Sequence, residues 1–204
     1  LDPLEIINKY GLDPLRYYLI KEVSFGNDGN ISEEKLENCI NSDLANNYGN
    51  LCQRVVSFCE KNAELKVGEE IKFNEEDNFE LLKFTDSYQN IVGFIDKQDI
   101  NSYISFIVER LFAANKYFND QEPWKKKDNK VRLNTIIYTS LELIRKITIL
   151  MYPIMPETSI KVMSIFNYSE KDIKLDSFIE NNFIKKNVKL NKIGILFKKI
   201  DKND

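Results

Sequence analysis

The sequence of 204 residues contains no histidine. This absence excludes zinc sites that use imidazole, Ser-His-Asp triads and histidine general bases. Cysteine is scarce as well, because Cys39, Cys52 and Cys59 are the only three and show no paired spacing. An odd number of cysteines argues against a disulfide framework and fits a reducing compartment. Cys52 and Cys59 lie seven residues apart on one helical face, where we expect core residues rather than metal ligands.

Long apolar runs are also missing. No segment approaches the roughly 20 residues that span a bilayer, and the first residues lack the basic start and apolar core of a signal peptide. We therefore expect a cytoplasmic protein without a membrane partner. The chain begins without Met and within a helical pattern, which suggests a piece of a longer chain.

The sequence also lacks a large excess of positive or negative charge. The sequence has 29 Lys and Arg against 32 Asp and Glu, so that the formal net charge is −3. A hydrophobic fraction of 43% and a charged fraction of 30% are those of an ordinary globular protein. A role in nucleic-acid binding would therefore have to come from a local basic patch and not from the global charge.

Helical periodicity is what the sequence has in abundance. Ser32 is a good N-cap, and apolar residues then recur every three or four positions from Leu36 to Phe58, which predicts one helix ending near Asn62. Residues 193–197 instead read as a strand or extended segment that needs a partner edge. The pattern predicts an all-α antiparallel helix bundle with a short C-terminal extended segment. Further helices are predicted over residues 2–10, 14–20, 74–91, about 100–117, 133–152 and 160–166.

Specific strings go further than composition. Residues 41–54 read NSDLANNYGNLCQR, which resembles the anticodon-domain signature of methionyl-tRNA synthetases, an Asn-x-Asp-Leu-Ala-Asn run followed by Gly-Asn-Leu-x-x-Arg. Residues 115–117 (NKY) and 121–124 (QEPW) resemble the same family's Asn-x-Tyr and Gln-x-Pro-Trp element. Three further matches lie in the family's order: 10–19 (YGLDPLRYYL) with 25–29 (FGNDG), 151–158 (MYPIMPET), and 196–201 (LFKKID), where Lys replaces the usual Arg.

The resemblance implies a bundle of the class I synthetase anticodon-binding type that recognises the CAU anticodon loop of tRNA(Met). It divides the chain into a remnant of the stem-contact region (1–31), the anticodon-binding bundle (32–168) and a C-terminal helix or extended tail that packs toward the catalytic side (169–204). The family attaches methionine to its tRNA with ATP and Mg, using a His-x-Gly-His motif and a Lys-Met-Ser-Lys-Ser loop. Neither motif is present. We therefore expect no catalytic residue, cofactor or metal here, no activity of this chain alone, and a catalytic domain elsewhere in the same polypeptide as its partner.

The candidate site residues follow from the same match. Asn50 and Arg54 are four residues apart and share a helical face, and their amide and guanidinium groups are suited to reading base edges. In the family the matching Asn and Arg contact anticodon bases, and the Trp that matches Trp124 stacks on the wobble cytosine. The predicted anticodon-binding residues are therefore Asn50, Arg54, Trp124 and the preceding Pro123. Local positive charge for phosphates is assigned to five residues: Lys125, Lys126, Lys127, Lys130 and Arg132.

Other interpretations remain open at this point. Trp124 would also serve as a hydrophobic plug at the end of the bundle, Arg54 as a surface residue with a buried stem, and the lysine run as a solvated helix start. The chain as a whole would also fit the anticodon domain of another class I synthetase, such as the cysteinyl or branched-chain enzymes. A helical protein-interaction scaffold without an RNA role is the third alternative.

Overall fold

Nine α-helices account for most of residues 2–22, 29, 31–180 and 184–201, the parts of the chain that this computed structural model describes. Part of the predicted family match at 25–29 lies outside the described residues. The helices are α1 (Pro3–Tyr10), α2 (Leu12–Glu22), α3 (Glu33–Cys39), α4 (Asn50–Ala63), α5 (Glu75–Asp86), α6 (Tyr88–Asp96), α7 (Ile100–Asp120), α8 (Lys130–Met151) and α9 (Pro156–Met163).

Polar caps set where these helices begin. Asp2 accepts a hydrogen bond from the backbone N–H of Leu4, and Ser32 accepts one from that of Lys35. Asn74 begins α5 with a complete capping box. The helix starts that the sequence predicts at these three residues are confirmed, because each side chain satisfies a backbone donor that the first helical turn leaves unpaired. The single helix predicted from residue 74 to residue 91 is instead two helices that meet at Ser87.

A π-helical segment (Ile40–Gly49) joins α3 to α4 and makes one continuous rod from residue 33 to residue 63. The backbone N–H of Asn50 bonds to the carbonyl of Ala45, five residues earlier. Apolar residues recur here at strict steps of four, which would drift around an α-helix of 3.6 residues per turn. The wider π turns keep them on one buried face. Its members are Leu36, Ile40, Leu44, Tyr48 and Cys52.

α8 is the central helix and is buried along nearly its whole length. At its C-terminal end the hydroxyl of Tyr103 on α7 donates to the carbonyl of Leu150 at 2.6 Å. At its N-terminal end Arg132 contacts Gln121, which follows α7. α7 therefore runs antiparallel to α8, and the turn from Gln121 to Lys125 lies at the end of the bundle where α8 begins.

Buried charges on α8 hold the C-terminal tail. Glu142, Arg145 and Lys146 are buried, and the two cations donate to backbone carbonyls of residues 177–180 at 2.6–2.9 Å. Glu142 bonds to Arg145 Nε at 2.9 Å and accepts from the N–H of Ile184 at 2.8 Å. Burial, reinforced by the nearby Arg145, lowers the pKa of Lys146 to about 7.

Of the two alternatives that the sequence allows at the C-terminal end, a strand or an extended segment, the extended segment is confirmed. The only β-type pairing of the described residues is an isolated bridge between Lys66 and Lys189. A single side chain holds the tail just beyond this segment. The Asn41 amide accepts from the N–H of Ile200 and donates to its carbonyl, both at 2.8 Å. None of the helices described here is long and apolar enough to cross a membrane.

Candidate nucleic-acid interface

A surface cluster lies at the end of the bundle where α8 begins and consists of Arg54, Phe118 and Trp124. The Arg54 guanidinium lies over the Phe118 ring at 5.4 Å from its centroid. The Phe118 and Trp124 rings meet edge to face with centroids 6.4 Å apart. Trp124 is 43% exposed, so that much of its π-face is free while one side rests on Phe118. A fully buried plug would lack this free face.

The Arg54 side chain is half-buried and oriented by two neighbours. Nη2 donates to the Oδ1 of Asn119 at 2.5 Å, and the Phe118 ring supports the plane of the guanidinium. No other hydrogen bond of the Arg54 side chain links it to the residues described here. An arginine held by one of its five N–H donors keeps the others for a ligand.

Asn50 is the first residue of α4, directly after the π-helical segment. It is half-buried, and within the described ranges its side chain has no hydrogen-bond partner. Because Asn50 and Arg54 lie one helical turn apart, both present free polar groups on the same side of α4.

The rest of the NSDLANNYGN string maintains the scaffold. Asp43 accepts hydrogen bonds from the Tyr17 hydroxyl at 2.9 Å and from the Lys21 ammonium at 2.6 Å, which joins α2 to the π-helical segment. Asn115 on α7 donates to the Oδ1 of the buried Asn47 at 2.6 Å. A Cβ on Gly49 would lie 3.4 Å from the Phe197 ring and 3.0 Å from the carbonyl of Leu44, so the bare backbone lets the tail approach.

The turn that carries Trp124 has a fixed shape. Glu122 is in the left-handed region at φ +42°, and Pro123 begins a 3₁₀ turn. Pro123 itself is buried, so its position argues against the predicted contact with a base. Its ring sets the backbone direction from which Trp124 projects.

The predicted phosphate contacts divide into two groups. Lys126, Lys127 and Lys130 are exposed and have no ion pair within the described part of the chain. Lys125 is exposed but pairs with Glu122 at 2.7 Å. These four lysines flank Trp124 and the start of α8.

Arg132 does not belong with the lysines. Its guanidinium forms a bidentate pair with the buried carboxylate of Asp77 at 2.5 and 3.0 Å and also donates to the Oε1 of Gln121. This geometry argues against the predicted phosphate contact, because Asp77 already neutralises the charge inside the protein. The sequence could locate Asp77 as the third residue of a capping box, but only the packing of α5 against α8 brings it to Arg132.

The described residues offer little to a metal or to nucleophilic chemistry. No group of three or more His, Cys, Asp or Glu side chains among them could hold a metal ion. Cys39, Cys52 and Cys59 are buried, and burial raises the pKa of both Cys39 and Cys59 to about 12. Such thiols stay protonated and unreactive. The exposed end of the bundle presents aromatic, amide, guanidinium and ammonium groups.

Comparison with known proteins agrees with the family resemblance of the sequence. Residues 1–56 match the family model "tRNA synthetases class I (M)", and residues 73–204 match "Anticodon binding domain of methionyl tRNA ligase". The methionine–tRNA ligase of Brucella suis is 37% identical over 166 residues, which cover 81% of this chain and 32% of the relative. That of Thermotoga maritima is 35% identical over 207 residues, which cover 100% of this chain and 33% of the relative.

A solved structure has the same fold. The apo form of Mycobacterium tuberculosis methionyl-tRNA synthetase superposes with a TM-score of 0.91 at 29% identity and covers 98% of this chain and 41% of that one. The present chain spans about a third of the length of the curated relatives that it matches.

Proposed function

The chain belongs to the methionyl-tRNA synthetase family and contains its anticodon-binding domain, and from this premise we propose that it binds the CAU anticodon loop of tRNA(Met). The observation that carries the proposal is the half-exposed Trp124 ring, packed edge to face on Phe118 beside the Arg54 guanidinium. As part of a longer protein, the domain would present tRNA to a catalytic domain that attaches methionine with ATP and Mg.

Each group has a distinct role in the proposed complex. Single-stranded loops are recognised by turning bases outward and stacking them on aromatic rings, and Trp124 offers such a face. Arg54 supplies a planar pair of donors to a base edge, and Asn50 supplies one donor and one acceptor. Lys126, Lys127 and Lys130 neutralise backbone phosphates on either side of the loop.

Titration of the chain with a CAU anticodon stem-loop tests the proposal directly. A stem-loop with the same stem and a scrambled loop is the control, because its phosphates are equivalent and only its bases differ. Tighter binding of the CAU loop is expected. Equal binding of both loops would rule out base recognition, and binding of neither would favour the protein-interaction scaffold.

The salt dependence of binding tests the lysines. If about three phosphates are neutralised, log affinity is expected to fall with log salt at a slope of about −2, at roughly 0.7 per phosphate for single strands. Replacing Lys126, Lys127 and Lys130 together by Ala is expected to flatten this slope without changing the preference for CAU. Isothermal titration at several salt concentrations gives the slope.

A matched triple variant separates local contacts from global charge. Lys185, Lys186 and Lys189 are also exposed, but they lie on the C-terminal tail. Their replacement by Ala removes the same charge and is expected to leave the slope nearly unchanged. If both triple variants flatten it equally, the lysines near Trp124 make no special contact.

Arg54→Lys tests whether the guanidinium reads a base. Lysine keeps the positive charge but loses the planar fork, so the preference for CAU over the scrambled loop is expected to fall by about 1–3 kcal/mol, with a smaller loss in binding of the scrambled loop. Arg16→Lys is the control, because among the described residues the Arg16 side chain bonds only to the carbonyls of Pro153 and Ile154. An equal loss for both loops in Arg54→Lys would mean that Arg54 contributes charge alone.

A further inference from the structure

A buried carboxylate lies behind the turn that carries Trp124. Asp77 is fully buried and accepts from the backbone N–H of Asn74 at 2.9 Å, from the Tyr117 hydroxyl and from two nitrogens of Arg132. These donors come from the N-terminus of α5, the C-terminal part of α7 and the first turn of α8. One carboxylate thus ties together the three helix ends that surround the turn.

Arg132 extends this network to the turn itself. While its two terminal nitrogens hold Asp77, Nη2 also donates to the Oε1 of Gln121, and Gln121 Nε2 donates in turn to Glu76 at 2.5 Å. The Gln121 side chain is therefore fixed from both sides, by α8 and by α5. Gln121 is three residues before Trp124.

Besides the buried Pro123, the turn has few other anchors. Its backbone hydrogen bonds are local: Glu122 to Asn119, Lys125 to Glu122 and Lys126 to Pro123. The ring contact of Trp124 is the edge-to-face one with Phe118. Local bonds define the shape of a turn, but they do not fix its position relative to the helices. That position depends on the packing of the buried Pro123 and on Gln121, and through Gln121 on Arg132 and Asp77.

We propose that Asp77 and Arg132 act as positioning residues that hold the Trp124 ring in its binding orientation before RNA arrives. The inference rests on the proposed function, since it assigns a use to the fixed ring. Ordering a large side chain only upon binding costs affinity, and a ring that is already held avoids that cost. The guanidinium is required because only a planar fork can bind Asp77 through two nitrogens and reach Gln121 as well.

The unique tryptophan makes the test direct, because all tryptophan fluorescence of this chain comes from Trp124. Arg132→Lys keeps the charge opposite Asp77 but cannot hold both Asp77 oxygens and Gln121. We expect the acrylamide quenching constant of the free protein to rise about twofold and the affinity for the CAU stem-loop to fall about tenfold. Far-UV circular dichroism is expected to show unchanged helix content.

Tyr103→Phe is the control for a general loss of stability. It removes the hydrogen bond to Leu150 at the opposite end of α7 and leaves the turn intact. Its quenching constant and RNA affinity are expected to equal those of the unmodified chain, even if its melting temperature falls as far as that of Arg132→Lys.

A double-mutant cycle distinguishes positioning from direct contact. In a Trp124→Ala background, Arg132→Lys is expected to cause no further loss of affinity, because the group that it positions is gone. Additive losses of affinity would show that Arg132 acts independently of Trp124 and would overturn the inference. A salt slope whose magnitude falls by about 0.7 upon Arg132→Gln would show that Arg132 contacts a phosphate and would overturn it as well. So would an unchanged quenching constant. The fluorescence measurement needs no RNA. It therefore shows whether Asp77 and Arg132 position the Trp124 ring even if the stem-loop fails to bind.

Discussion

Trp124→Ala is expected to weaken binding of the CAU anticodon stem-loop by about 1–3 kcal/mol, the usual contribution of one aromatic stacking platform. The ring is 43% exposed and packs edge to face on Phe118. Its removal should therefore change the melting temperature little. Trp124→Phe should recover part of the loss, because a smaller π-face still stacks.

The control for this prediction is another exposed aromatic residue. Phe79 is 56% exposed on α5 and lies under the Lys83 ammonium. Phe79→Ala is expected to leave RNA affinity unchanged. If Trp124→Ala instead lowers the melting temperature sharply and weakens CAU and scrambled loops equally, the ring is a structural plug and the assignment of the site is wrong.

Glu142→Gln is expected to lower the free energy of unfolding by about 3–5 kcal/mol, because it leaves buried cations without their counter-charge. The substitution preserves the size of the side chain. It removes the charge that faces Arg145 Nε and leaves Lys146 beside Arg145 in the same buried cluster. Urea denaturation gives the free energy.

An exposed carboxylate is the matched control. Asp120 pairs with Lys116 on the surface of α7, where solvent screens the interaction, so Asp120→Asn should change stability little. Comparable losses in the two variants would mean that the cluster around Glu142 contributes no more than a surface pair.

The stability also has a predicted pH dependence through Lys146. Its pKa is lowered from 10.5 to about 7 in the folded chain. Between these values the unfolded chain binds more protons at this group, so its contribution to stability rises with pH from about 7 upward. The loss in Glu142→Gln is accordingly expected to be larger at pH 6, where Lys146 is charged, than at pH 8. An equal loss at both values would show that Lys146 keeps one protonation state.

Local sequence predicted the helices well because their signals are local. Ser32 and Asn74 satisfy backbone donors within a few residues, and the periodicity of apolar residues indicates which face is buried. The family also followed from the sequence, because strings such as NSDLANNYGN and QEPW depend on residue order alone. The apolar repeat at steps of four residues from Leu36 to Cys52 also indicated π turns. An ordinary helix is the prediction there when only α-helical periodicity is considered.

Contacts between distant segments could be decided only by the tertiary structure. Residues 193–197 have the composition of a strand, but a strand needs a partner edge, and the isolated bridge between Lys66 and Lys189 is the only β-type pairing of the described residues. The tail is held at Ile200 instead, where the Asn41 amide bonds to its backbone at a separation of 159 residues. Arg132 lies next to four candidate lysines in sequence, yet the packing of α5 against α8 gives it Asp77 as a buried partner. Sequence places charges along the chain, while the fold decides which of them face water and which are neutralised inside.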